Sequence, residues 1–337
     1  MHPVGSAELR FSLLNDWQHD FPLVERPFAA IGTSCGADAA TVIDTYRTLL
    51  ADGAISRIGG VWGAGAAGAA LLCAFAVPAA RLDAVAAIVS AHPGVNHNYE
   101  REHDYNLWFV VTDHDAGAVG VAVDTIESRT GCRALRLRME RAYRIDLGFD
   151  LRGTVSARSR VAVPNARRVD WADEPLAALV EDGLPLVDRP YEAWGDALGV
   201  PGAQSQAVLA RWLREGTLRR FGAIVRHHEA GFGHNAMTVF DVPDDVVDPC
   251  GEALAAQRGV TLAYRRGRVD GWPYNLYCMV HGRDRAEVGA AIAAAIERSA
   301  LAPRRRAVLF SRRRFKQGGA SYFRGRRGIE KALHDAA

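Results

Sequence analysis

No Cys-x-x-Cys pair occurs among the five cysteines (Cys35, Cys73, Cys132, Cys250 and Cys278), which argues against a zinc ribbon and against a dithiol redox motif. Their odd number and wide spacing fit a reducing compartment better than a disulfide framework. The opening MHPVGSAELR lacks the basic-then-apolar order of a secretory signal. The longest apolar run, Ala64–Ala80, is interrupted by glycines and by Pro78, and is too short to cross a bilayer comfortably. A cytoplasmic protein with no membrane partner is expected. A strong excess of one charge is missing too: 41 Lys and Arg face 39 Asp and Glu, for a net of +2, so the whole molecule is no polycation. What the chain does have is length and apolar content. Its 337 residues, 49% of them hydrophobic, suffice for two or more domains with buried cores. Arginine is concentrated locally, in PRRRAVLFSRRRFK and FRGRRG near the C-terminus. Such a run reads either as a solvated basic face or as a site for a multiply anionic partner.

The chain also repeats itself. Arg26-Pro27 matches Arg189-Pro190, Gly53 matches Gly216, Arg57 matches Arg220 and Gly59 matches Gly222, each pair 163 positions apart. YNLW at Tyr105–Trp108 matches YNLY at Tyr274–Tyr277 at a separation of 169, so a few residues were inserted between the two sets. One unit has been duplicated and its copies have diverged.

In copy one the periodicity predicts helices over Ala7–Trp17, Pro27–Cys35 and Ala37–Asp52, followed by an extended Ile55–Trp62. Gly36 sits where a helix-turn-helix turns, and Gly53 ends the third helix. Strand Ala69–Val77, helix Ala79–Ala91, strands Val95–Arg101 and Tyr105–Thr112, helix Ala116–Arg129 and extended Arg133–Ile145 come next, in the order of a ferredoxin-like unit. Copy two predicts helices near Ala172–Glu181, Pro190–Leu198 and Gln204–Glu215, then the same alternation from His234 to about Lys316. The expected fold is α+β: a tandem duplication of a winged helix-turn-helix followed by a βαββαβ domain. The expected boundaries are 1–62 and 63–150 for copy one, a linker at 151–170, 171–225 and 226–325 for copy two, and a tail at 326–337.

A winged helix ahead of a ferredoxin-like domain is the layout of leucine-responsive (AsnC/Lrp-like) transcription regulators. The residues argue against DNA reading. Helix Ala37–Asp52 carries Asp38, Asp44 and Asp52 against Arg47 alone, which repels phosphate. Its counterpart in copy two has Arg211 and Arg214, read here as surface salt-bridge residues. No nucleic-acid partner is expected.

The hairpin HNYEREHDYNLWF, His97–Phe109, concentrates the chemistry. Alternation along a strand puts His97, Tyr99 and Arg101 on one face, and Asn98 and Glu100 on the other. A guanidinium grips carboxylates by a bidentate fork, and an imidazole is the commonest proton donor near neutrality. His97 and His103 lack partners at zinc spacing, so no protein-held metal is expected. Taken singly, each of these side chains is more often structural; their convergence on one ribbon favours function. Copy two replaces the histidines with Arg265, Arg266 and Arg268, and His227, His228 and His234 lie upstream.

RPFAAIG, ISRIGGV and GVNHNYEREHDYNLWFVV in copy one, with RPYEAWG, LRRFGAIVRHHEAGFGHNAM, YRRGRVDGWPYNLYCMVHG and RRFK in copy two, resemble the siroheme decarboxylases over roughly Leu13–Phe323. The resemblance implies a fused two-unit form of the heme d1 type. It implies conversion of siroheme to 12,18-didecarboxysiroheme with loss of two acetate carboxyls as CO2, in heme d1 or alternative heme synthesis. No organic cofactor is implied beyond the iron-containing tetrapyrrole itself. On this reading Arg101 holds a reacting acetate, His97 or His103 donates the proton, and Tyr99 positions it. Arg265, Arg266 and Arg268 anchor other carboxylates, and Tyr105, Asn106, Trp108, Tyr274, Asn275 and His228 line the substrate. Partners implied are siroheme, a second decarboxylase of the same family, and either pairing of the two halves or a homo-oligomer. A tetrapyrrole-sensing regulator and a non-catalytic carrier are the alternatives. The alanine- and glycine-rich Val61–Phe75 departs from the family pattern and implies a small role for the first wing.

Overall fold

The computed structural model describes residues 6–145, 166–226 and 233–323. Most of the expected linker, the tail from 326 onward, and His227 and His228 lie outside the described residues. Copy one contains α1 (Ser6–Asn15), α2 (Pro27–Cys35), α3 (Ala39–Ala51), β1 (Ile55–Trp62), β2 (Ala69–Phe75), α4 (Leu82–Ala91), β3 (Val95–Arg101), β4 (Leu107–Asp113), α5 (Ala116–Thr130), β5 (Leu135–Leu137) and β6 (Met139–Ile145). Copy two contains α6 (Glu174–Asp182), α7 (Pro190–Leu198), α8 (Gly202–Glu215), β7 (Leu218–Val225), β8 (His234–Phe240), α9 (Val247–Ala255), β9 (Val260–Arg266), β10 (Leu276–Gly282), α10 (Arg285–Arg298) and β11 (Arg306–Gln317). Among the described residues no helix is long and apolar enough to cross a membrane.

Local chemistry sets the helix ends. Pro27 and Pro190 open α2 and α7, where a missing N–H costs nothing. Asp38, Asp115 and Asp284 cap α3, α5 and α10, each accepting a backbone N–H from the residue three positions on, at 2.7–2.8 Å.

The two winged helices form a single head. Their wings, β1 and β7, pair with each other antiparallel, with Gly59 opposite Gly222. A Cβ on Gly59 would lie 2.7 Å from the Val180 carbonyl oxygen, and one on Gly222 would lie 2.4 Å from that of Trp17. The repeated glycine therefore lets a helix C-terminus press onto each wing. Phe21, Phe28, Tyr46, Tyr191, Trp194, Trp212 and Phe221 fill one core drawn from both copies. Truncating one of these aromatics to alanine costs about 3–5 kcal/mol in a typical core.

The ferredoxin-like halves merge into one nine-stranded sheet, ordered β5-β2-β4-β3-β11-β8-β10-β9-β6. The expected extended segment Arg133–Ile145 breaks at Arg138: β5 pairs with β2 of its own copy, and β6 crosses to pair with β9 of the other. Strand β11 does the reverse, with Arg306–Phe310 on β8 and Ser311–Gln317 on β3. Each copy thus lends the end of its last strand to its sister. The edge strands β5 and β6 are consecutive in the chain, so the sheet curls around an interior. Helices α4 and α5, and α9 and α10, cover its outer face over separate cores. The interior is lined from both copies by Leu72, Trp108, Leu137, Met237, Tyr264, Trp272, Tyr277, Met279 and Leu309, among others.

Candidate active site

The interior face of β3 carries His97, Tyr99 and Arg101, as alternation predicts. Asn98 turns outward to the Ala86 carbonyl and Ser90 on α4, and Glu100 pairs with Arg313 on the outer side. The inward side chains form a row. The His97 and Tyr99 rings stack at 6.2 Å, and the Arg101 guanidinium lies 5.6 Å from the Tyr99 ring centre.

Arg101 reaches into copy two. It donates to the Leu309 carbonyl at 3.1 Å, with longer contacts to Asn235 Oδ1 at 3.4 Å and Met279 Sδ at 3.7 Å. Its Nε has no partner, and no carboxylate pairs with it among the described residues. Only 7% of it is exposed, and burial pulls its pKa down to about 10. A buried cation without a counter-ion costs several kcal/mol unless an anion arrives. Arg266 repeats the device: 8% exposed, it lies over Tyr264 at 4.6 Å and Tyr277 at 5.7 Å and donates to the Leu137 carbonyl at 2.6 Å. Two guanidiniums with no carboxylate partner among the described residues therefore share one interior.

Two imidazoles flank Arg101. His97 Nδ1 meets Asn96 Oδ1 at 2.7 Å, and His281 Nδ1 meets Thr261 Oγ1 at 2.9 Å. Burial first, and the Arg101 charge second, pull both imidazoles down to about 4. Both keep some accessible surface although they sit deep in the sheet's interior, as side chains lining a recess do. The two are neutral near pH 7. A ligand carboxylate beside Arg101 offsets that charge, the second cause of the shift, and favours the charged form. His281 was missed as a candidate by sequence reasoning; its place two residues beyond Met279 on β10 carries the signal.

Other predicted residues are placed differently. His103 lies at the hairpin tip, where its Nδ1 accepts the Tyr105 N–H at 3.0 Å. Tyr105, Trp108 and Tyr274 gather with His103 around Trp272, at ring distances of 4.9–5.7 Å. Trp272 comes from the residues inserted in the second hairpin and donates to Tyr277 Oη at 2.7 Å. Asn106 and Asn275 are backbone staples. Asn106 clamps both the N–H and the carbonyl of Val77, and Asn275 does the same to Val242. Their amides are spent on the fold, which corrects their expected place against the substrate. The expected arginine trio is also divided. Arg265 points outward to Glu140, Asp244 and Asp248, and Arg268 pairs with Asp241 and Asp244, so only Arg266 faces the interior. His228 lies outside the described residues.

A winged-helix head over a paired ferredoxin-like sheet, with an aromatic interior holding these arginines and neutral imidazoles, defines a receptor for a flat, multiply anionic ligand. Residues 66–144 and 229–316 match the AsnC-like ligand binding domain, and residues 12–55 match the siroheme decarboxylase NirDL-like HTH domain. The chain is 40% identical to the siroheme decarboxylase NirDL subunit of Paracoccus denitrificans, covering 93% of this chain and 97% of that one. It is 46% identical to the siroheme decarboxylase NirD subunit of Stutzerimonas stutzeri over 41% of this chain and 91% of that relative, a single-unit protein. A crystal structure of the siroheme decarboxylase NirDL in co-complex with an iron-uroporphyrin III analogue superposes with a TM-score of 0.68 at 25% identity, covering 99% of this chain and all (100%) of the other. The chain belongs to the siroheme decarboxylase family.

Proposed function

We propose that this chain decarboxylates siroheme to 12,18-didecarboxysiroheme, releasing two acetate carboxyls as CO2, in the cytoplasm and on the route to heme d1. The observation that carries the reading is Arg101, a buried guanidinium with no carboxylate partner among the described residues, in line with Tyr99 and His97. Arg101 holds an acetate by charge-assisted hydrogen bonds. Arg266 takes a second carboxylate, and Tyr264, Tyr277 and Met279 supply the surface against which a flat macrocycle packs. The bond between the acetate methylene and its carboxyl breaks, CO2 leaves neutral, and the electron pair stays on the methylene carbon, where the ring delocalises it. A proton from His97 makes the methyl group. Each step consumes one proton and releases one CO2, with no net oxidation. The apolar interior favours the step because charge leaves the carboxylate. His97 is suited to the task because substrate carboxylates raise its proton affinity as they bind, charging the donor only when substrate is present. His103, at the far end of the hairpin, is the second candidate donor. The iron arrives with the substrate.

The test is anaerobic incubation of the purified chain with siroheme, with product mass read by chromatography, alone and beside a second decarboxylase of the family. Loss of two CO2 supports the enzyme. Binding with no mass change in either case makes the chain a carrier or a sensor.

A further inference from the structure

The residues after β11 form a strap between the site and the head. Gln317, the last residue of β11, pairs with His97. The next N–H, from Gly318, donates to the Asn96 carbonyl at 2.8 Å. Asn96 is buried; its Nδ2 donates to Thr112 Oγ1 at 3.3 Å, and its Oδ1 accepts from His97 Nδ1 at 2.7 Å. That arrangement puts the His97 proton on Nδ1 and leaves Nε2 for the recess. The strap then runs past the first wing, so close that a Cβ on Gly319 would lie 2.4 Å from Arg57 Nη1.

The far end is fastened inside the head. Tyr322 N–H donates to the Glu181 carboxylate at 2.9 and 3.2 Å, and Phe323 N–H donates to it at 3.1 Å. Glu181, on α6, is 1% exposed. Phe323 stands edge-on to Trp62 at 5.5 Å, and Trp62 edge-on to Trp212 at 5.3 Å. The Tyr322 hydroxyl is pushed up to about 12 by burial and by the Glu181 charge. A buried carboxylate needs donors or a cation to be tolerated, and the strap supplies Glu181 with two N–H donors.

We propose that Glu181 is a positioning residue for the decarboxylation: it latches the strap, the strap fixes Asn96, and Asn96 fixes the orientation and proton position of His97. The winged-helix head then serves as the anchor of a catalytic wall. The proposal rests on the reading of His97 as proton donor, but its primary measurements need no turnover. In Glu181→Ala, hydrogen exchange at Tyr322, Phe323 and Gly318 should speed up roughly tenfold or more, the loss expected for a charged hydrogen bond. The His97 imidazole, followed by NMR, should titrate above its native value of about 4, because water reaches it. CO2 release should slow through kcat more than through KM. Tyr322→Pro removes one donor while leaving Glu181 intact, and if Glu181→Ala fails to fold it should reproduce the faster exchange at Phe323 and Gly318, the raised His97 titration and the slower CO2 release. Faster exchange at Tyr322 and Phe323 with unchanged Gly318 exchange and unchanged His97 titration would overturn the proposal. Shifted exchange and titration in a wild type that releases no CO2 would retain the latch and reject the decarboxylase reading.

Discussion

The two recesses of the interior occupy equivalent places in the duplicated fold and are furnished differently. The first is built by β3 of copy one against β8, β10 and β11 of copy two. The second is built by β9 of copy two against β2, β4 and the β5–β6 strand of copy one. The Tyr-x-Arg row is present in both, as Tyr99 and Arg101 and as Tyr264 and Arg266, and each arginine donates to an equivalent carbonyl, of Leu309 or of Leu137. Beyond that row the polar groups differ. His97 in the first recess corresponds to Leu262 in the second, Ser311 to Met139, and the paired Asn235 and His281 to the paired Ala70 and Thr112. Divergence has left the cation on both sides, both imidazoles on one, and the Thr112 hydroxyl in place of His281 on the other. On the proposed function, the duplicated anion receptor becomes one reactive site and one anchoring site.

Breaking that asymmetry should affect the two recesses unequally. The largest effect is expected from Arg101→Met, which should slow CO2 release by roughly 100- to 1000-fold in the siroheme mass assay, the range seen when a site loses a key charge-stabilising donor. Arg266→Met should cost about tenfold, mostly in KM, as the loss of one charged hydrogen bond does; equal losses would make the recesses equivalent. His97→Ala should reduce the rate by about 100-fold, the lower range for a lost general acid, and full activity would move the donor to His103.

A smaller effect concerns pH. His97 and His281 are held at about 4, below their ordinary value of about 6.5. The unfolded chain therefore binds these protons more tightly. Stability should be full above about pH 6.5 and decline as pH falls towards 4. Melting temperatures across that window should fall less steeply in His281→Leu. The smallest effect is expected for Leu262→His. An imidazole restored to the second recess without its Asn, Ser and His companions should leave the CO2 rate within about twofold, the scale of a change that adds no transition-state contact.

Much of this architecture is legible in the sequence. The matched residues 163 and 169 positions apart give the duplication, and alternation along VNHNYER gives the face shared by His97, Tyr99 and Arg101. The division of the last strand is not legible. Arg133–Ile145 contains no glycine and no proline to mark the break at Arg138, because the partner that captures its second half lies more than a hundred residues away. The amides of Asn106 and Asn275 misled for a related reason: a side chain equipped to bind a carboxylate is equally equipped to bind a peptide, and the peptides of Val77 and Val242 are adjacent only after folding. Trp272 did leave a trace, since the change of offset between the Tyr-x-Arg and YNL motifs marks the insertion that carries it.

The exchanged strand ends make the two copies inseparable in a kinetic sense. A copy cut out alone would lack the segment that pairs with its β3 or β9, and would expose the backbone of that strand to any other chain. The intact chain must instead bring segments from its two ends into register before either half-sheet is complete. Such high contact order implies slow folding. Fusion of the two units makes that encounter independent of protein concentration.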